Sequence, residues 1–371
     1  MNYFRYTTLL LLFIFLSDTS LPAQSFDLPT SNWGISFGNS KNFTGLRFNF
    51  RDHWVDEITG VNLTLWKSYE NEHAVVKGIS FGILPEAGYL YGLNLGLGGP
   101  AAEYEMSGLS IGILGAGSGR DVNGVAIGGL GIGSGENIAG ITIGGLGVGS
   151  GGDVTGLALG GLGVGSGGKM TGVFFGGLGV GSSGDLNGIS FGGLGVGAGG
   201  DLKGIHAGLL GAGTGNDMTG IFLAGLGAGA GGNVTGIACA LGGVGGGNSL
   251  TGVAIAGLGA GSGGRLTGLT IAGLGAGAPD VRGVIIGGLG TGGVQVRGVA
   301  LSAAHFRIED EGELKGFAAS AFNYIKGKQT GVVIGLFNYA HQLHGVQIGV
   351  LNYVRDNPGI TKILPLVNAH F

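Results

Sequence analysis

Three aspartates, Asp185, Asp201 and Asp217, follow one another at intervals of sixteen residues, with Lys169 and Asn233 in the same register and Asp121 and Asp153 further upstream. If each sixteen-residue interval is one turn of a stacked structure, the carboxylates lie about 5 Å apart. At that separation they repel weakly in water and are close enough to share a hard cation such as calcium. One carboxylate per turn is an incomplete cage, however, and the nine-residue calcium-binding repeat is absent. The three aspartates are therefore weak candidate metal ligands, and a solvated polar corner is the plainer reading of them.

Other residue types with chemical potential are less specific. Gly147 to Gly152 matches G-x-G-x-x-G, but such matches recur throughout the chain, and a dinucleotide fingerprint needs a helix behind it. Gly168-Lys169 is followed by Met170, where a phosphate-binding loop needs a hydroxyl. Acidic and histidine residues gather near the ends: Asp52-His53-Trp54 with Asp56-Glu57, Glu70 to His73, His305 with Glu309 to Glu313, and His341 with His344. Paired carboxylates serve glycosidases and His-x-x-His can hold a metal, but each cluster reads more simply as a polar loop between strands. The single cysteine, Cys239, lies among apolar residues and is expected to be a small core side chain. No catalytic residue and no cofactor is expected, and the chain reads as a non-enzyme.

What could position such residues follows from composition. Glycine accounts for 91 of 371 residues, charged residues for 11%, and proline numbers 7. Collagen would need far more proline and a three-residue period, and a disordered chain would need more charge and fewer aliphatics. A net charge of −4 with scattered charges offers no stripe for nucleic acid. The repeat is the dominant feature: Gly92, Gly108, Gly124, Gly140 and their successors through Gly268 are spaced by sixteen without a break. Gly34, Gly45, Gly60 and Gly78 lead in, and Gly283, Gly298, Gly316, Gly331 and Gly345 lead out. Counting a last strand at Ile360 to Phe371 gives about 22 units.

Within one unit, Ile141 and Ile143 alternate as in a strand, whereas Leu146 and Val148 have the opposite parity, with Gly144-Gly145 between them. A corner at the double glycine would turn all four aliphatics into one interior. Ser150 to Asp153 supplies a second, polar corner. On this reading the second residue after each opening glycine, including Phe174, Ser190, His206 and Phe222, faces outward. The fold class expected is all-β: a glycine-rich parallel β-solenoid of about sixteen residues per rung, on the order of 100 Å long at about 4.8 Å per rung, with atypical capping repeats. The alternative is an outer-membrane β-barrel of about 22 strands, supported by export and by a terminal Phe371 after alternating residues. Against it, neither face of Ile141 to Ser150 taken as a straight strand suits lipid or a polar lumen.

The first residues carry a separate signal. Arg5, the apolar run Leu9 to Leu16 and Leu21-Pro22-Ala23 before Gln24 form a signal-peptide pattern, and the run is too short to span a membrane. The organisation expected is a signal peptide at 1–23, irregular N-terminal repeats at 24–107, regular repeats at 108–298 and irregular C-terminal repeats at 299–371.

The units from Gly331 to Tyr339 and Gly345 to Tyr353, with Lys362 to Asn368 and Gly60 to Trp66, resemble the repeat of a bacterial surface-repeat family. The middle of the chain departs from it, with Gly where Asn338 and Asn352 stand. The resemblance implies an exported, surface-associated protein and brings no activity or catalytic residue with it. The function expected is a rigid scaffold or adhesin-like protein with a surface or extracellular partner and no nucleic acid. A channel or structural role in the outer membrane goes with the barrel alternative.

Overall fold

The computed structural model describes residues 25–371, so the signal-peptide pattern falls outside the described residues. The fold is a β-solenoid of about 19 turns and about 16 residues per turn, not a barrel. The barrel alternative fails on strand pairing. Ile138–Gly144 hydrogen-bonds in parallel with Asp121–Gly128 on one side and with Val154–Gly160 on the other, whereas a barrel joins sequence neighbours antiparallel. The count of 22 units is also high. The last segment is not a further parallel turn but a strand, Ile363–His370, that runs antiparallel to Phe337–Val354. At the other end Ser25–Pro29 runs antiparallel to Trp33–Gly38. Both closing strands satisfy edges that would otherwise template pairing with another chain.

The chain divides into two compact units, the first ending at Gly112 and the second running from Ile113 to Phe371. In the second unit the regular rung has a long strand such as Ile138–Gly144 and a short one such as Gly147–Ser150. The opening glycine lies inside the long strand. Gly140 has φ +126°, and a Cβ there would stand 2.0 Å from the carbonyl oxygen of Gly124. The same left-handed glycine recurs in register through Gly156, Gly172 and Gly188, which explains why no other residue opens a rung. The irregular leading and trailing glycines keep this register as well, Gly45 pairing Gly60 and Gly331 pairing Gly345.

Side-chain alternation runs straight through that glycine, so the expected interior is inverted. Ile138, Thr142, Gly144 and Val148 are buried, whereas Ile141, Ile143 and Leu146 are exposed. Beginning the unit at Gly140 cuts the strand in two and hides its first inward column. That column comprises Val122, Ile138, Val154, Met170, Leu186 and Leu202, and full burial of each such aliphatic stabilises by about 1.5–3 kcal/mol. A sixteen-residue coil is too narrow to enclose four branched aliphatics per rung. Its second column is accordingly mixed: Ala126, Thr142, Ala158, Phe174, Ser190, His206 and Phe222, all buried. Phe174 and Phe222 are thus core residues rather than exposed aromatics. The third inward column varies less, with Val180 and Val196 followed by Ala212 and Ala228.

Toward the C terminus the third inward column turns polar. Asn323 Nδ2 donates to Asn338 Oδ1 at 2.8 Å, and Asn338 Nδ2 donates to Asn352 Oδ1 at 2.7 Å. The register traces these asparagines back through Phe306 and Thr291 to Ala276. Ala276 and its equivalents, not glycine, are therefore the residues that replace asparagine in the middle of the chain.

Candidate interaction surfaces

The inverted parity moves the aliphatics onto the outside of the second unit. Three outward columns follow each opening glycine at the first, third and sixth positions. From Val125 to Leu289 the three columns are almost wholly uncharged and apolar. Ile141, Val173, Ile189 and Ile205 represent the first column, Phe175, Phe191 and Leu223 the second, and Leu130, Leu146, Leu162, Leu178 and Leu194 the third, each of these leucines about half exposed. Phe175 and Phe191 stack at 5.3 Å between centroids, as in-register aromatics on adjacent rungs do. A contiguous apolar face of this extent exceeds what soluble monomers ordinarily leave in water.

The face is not uniform. In two rungs between Val125 and Leu289 the residue five past the opening glycine is leucine instead of glycine, giving Leu209 and Leu241, the latter 78% exposed. The same rungs carry small residues at the third position, Ala207 and Cys239. Between the two leucines lies a groove of about 320 Å³ lined also by Phe191, Leu223, Gly225 and Ile255. Cys239 is thus a partly exposed outward residue of this groove, not a core side chain.

The opposite corner is polar and explains the aspartates. The backbone N–H of Asp201 donates to Asp185 Oδ1 at 2.9 Å, that of Asp217 to Asp201 Oδ1 at 3.3 Å, and that of Asn233 to Asp217 Oδ1 at 2.7 Å. Upstream, Lys169 N–H donates to Asp153 Oδ1 at 2.7 Å, and Asp153 N–H to Asn137 Oδ1 at 3.0 Å. Each side chain thus holds the turn of the following rung, a role for which Asp and Asn are equivalent. Lys203 beside Asp201, with the N–H of Asp217, holds that carboxyl below its usual range. Ser166 and Ser182 brace the same corner by donating to the carbonyls of Gly152 and Gly168, each at 2.6 Å. Asp185, Asp201 and Asp217 are brought together in one ladder, and no group of three or more metal-ligating side chains forms among the described residues.

In the first unit the terminal clusters are more ordered than polar loops. Arg47 is fully buried and donates to Asp52 Oδ1 at 2.5 Å and to Asn62 Oδ1 at 2.7 Å, while Asp52 Oδ2 accepts from Asn62 and Thr64. Asp52 is therefore an interior ion-pair partner whose lone pairs are satisfied, the condition under which a buried charge pair is tolerated. His53 and Trp54 stay outside. Trp54 Nε1 donates to Glu70 Oε2 at 2.7 Å, and both residues have left-handed backbones, φ 48° and 47°. They border a hollow of about 440 Å³ with Lys41, Asp56, Glu72 and His73. In the second unit, the His305 ring stacks on Phe322, and Glu309 pairs with Arg307 and Lys326. An outward apolar face exists in the first unit too, where Phe48, Phe50, Leu63, Leu65 and Phe81 surround a hollow of about 730 Å³.

Sequence reasoning found the polar corner and missed the apolar face. The signal that would have revealed it is the residue two places before each opening glycine, apolar in every rung from Gly45 to Gly316, which fixes the parity of the whole strand. No family model matches the chain, and no curated protein and no solved structure matches it.

Proposed function

We propose that the chain is a non-enzymatic, exported surface protein, a rigid repeat scaffold that engages a partner through a long apolar face in the manner of an adhesin. The observation that supports this most is the repetition of the outward columns: Leu130, Leu146, Leu162, Leu178 and Leu194 hold the same position on successive rungs. Enzyme sites are single constellations of unlike residues, whereas a surface repeated rung after rung acts by area. The repeat units that resemble a bacterial surface-repeat family and the signal-peptide pattern point the same way. A solenoid's stability is nearly a sum of unit and neighbour terms, which suits a spacer whose length can vary.

Protease treatment of intact cells producing the full chain tests the placement: degradation without lysis is expected, and protection until lysis would overturn it. Removing Gly156 to Asn187, two full rungs, should leave export and surface placement intact. Loss of both on that deletion would overturn the scaffold reading.

A further inference from the structure

We propose that the apolar face of the second unit pairs with the same face of a second copy of this chain, giving a closed dimer. This rests on the reading of that face as an interaction surface and names its partner. All-parallel sheets ordinarily have both faces covered, and here the inner face is covered by the coil while the outer one is left in water. The face repeats rung after rung, its leucines from Leu130 to Leu194 each about half exposed, and a standard interface needs about 800 Å² per partner.

Three features favour a second copy over a bilayer. Rows of side chains repeating at the rung spacing of about 4.8 Å match another sheet with the same spacing, and two such faces stack about 10 Å apart. One face also carries both a projection and a hollow: Leu241 stands out as the projection, and the groove of about 320 Å³ over Gly225, which Leu241 borders, is roomy enough to receive a leucine side chain. Finally, the row bordering the first apolar column is mostly polar, with exposed Thr155, Thr171, Thr219 and Thr235 and the charged Lys203 and Arg282, so an apolar centre has a polar rim. A net charge of −4 adds nothing toward an anionic bilayer. Because one face pairs with its own copy, the association is isologous and stops at two.

Sedimentation of the full chain without detergent tests this, with Leu241→Lys and Leu178→Lys on the face and Ser183→Lys on the polar corner as the control. The wild type and the control should sediment at twice the chain mass, and each face variant should dissociate about 100-fold more readily, as for loss of a central anchor. Circular dichroism checks that the variants remain folded. A readout that needs no variant is maleimide labelling of Cys239 in the groove, whose rate should fall as protein concentration rises. A monomeric wild type with concentration-independent labelling would overturn the pairing and leave the cell-surface protease test unaffected. A dimer indifferent to both face substitutions, an open-ended assembly, or a monomer that binds phosphatidylcholine and phosphatidylglycerol vesicles through this face would equally overturn it.

Discussion

Ser190 Oγ and His206 Nδ1, sixteen residues apart in sequence, lie 2.6 Å apart inside the second unit, and the imidazole stacks on Phe222 at 5.7 Å. Burial pushes the His206 pKa below its ordinary value of 6.5, and Nε2 has no hydrogen-bond partner in the structure. The ring therefore takes up a proton less readily in the folded chain than in the unfolded one.

The sign of the pH dependence follows from that difference. A depressed folded pKa gives stability that is complete above the unfolded value and is lost as pH falls below about 6.5 toward the folded value, because the unfolded chain then binds more protons. Thermal melts between pH 7 and pH 5 should show falling stability in the wild type and a smaller fall in His206→Phe. The variant should lose about 1 kcal/mol at pH 7, because the Ser190 hydroxyl forfeits its partner. An unchanged acid slope in the variant would assign the sensitivity to other groups.

The inverted parity makes a direct mutational contrast. Ser190 is buried in the mixed column, whereas Leu194 lies half exposed on the outer corner. Ser190→Asp should destabilise by several kcal/mol or abolish folding, because a larger, charged carboxylate would be forced into the coil with only the buried His206 ring beside it. Leu194→Asp should leave the unfolding free energy of the monomer within about 0.5 kcal/mol of wild type, as for exposed positions generally. Chemical denaturation of both variants decides the matter; equal tolerance would mean that this column is not packed.

Glycine has two different roles in one rung, and alanine substitution separates them. At Gly172, φ is +139° and a Cβ would meet the Gly156 carbonyl oxygen at 1.9 Å, while around Gly165 nothing lies within 4 Å. Gly172→Ala should therefore cost several kcal/mol through backbone strain and collision. Gly165→Ala should be neutral or stabilising by about 0.4–1 kcal/mol, since alanine lowers the entropy of the unfolded chain at a compatible position. Melting temperatures of the two variants in parallel provide the check.

The pattern of success in reading the sequence has a physical cause. The opening glycines set the register correctly because a left-handed backbone packed against the preceding rung leaves no alternative, so the signal at Gly140 and Gly156 is absolute. Which face is inward depends on parity, and parity hangs on where the strand begins. Ile138, two residues ahead of the glycine, belongs to the same strand as Thr142, and once it is included the alternation of Ile138, Thr142 and Gly144 reads inward without ambiguity. The general preference for burying aliphatics misled at Ile141 and Leu146 because a narrow coil has more apolar residues than interior. The groove around Cys239 was not legible, since it arises from differences between neighbouring rungs rather than from the repeat itself. Likewise, Asp52 looked like part of a polar loop because its buried partner, Arg47, carries no sequence mark distinguishing it from a surface arginine.

The polar ladder provides the last contrast. Asp185 Oδ1 accepts the N–H of Asp201, and Asp201 Oδ1 accepts that of Asp217, so the acceptor oxygen rather than the charge holds each following turn. Asp185→Asn retains an acceptor and should be nearly neutral, whereas Asp185→Ala leaves the Asp201 N–H to water and should cost about 0.5–1.5 kcal/mol, the net worth of one such bond. Acid behaviour adds an independent readout. Lys203 and the Asp217 N–H lower the Asp201 pKa from 3.8, so its contribution is present above that value and is lost as pH falls through the lower folded value. Replacing Lys203 by Met removes the first of these causes and should bring the Asp201 titration, followed by carboxyl chemical shift, back toward 3.8. Should Asp185→Asn prove as damaging as Asp185→Ala, charge rather than the hydrogen bond would be holding the corner, and a bound cation at Asp185, Asp201 and Asp217 would become the better account of the ladder.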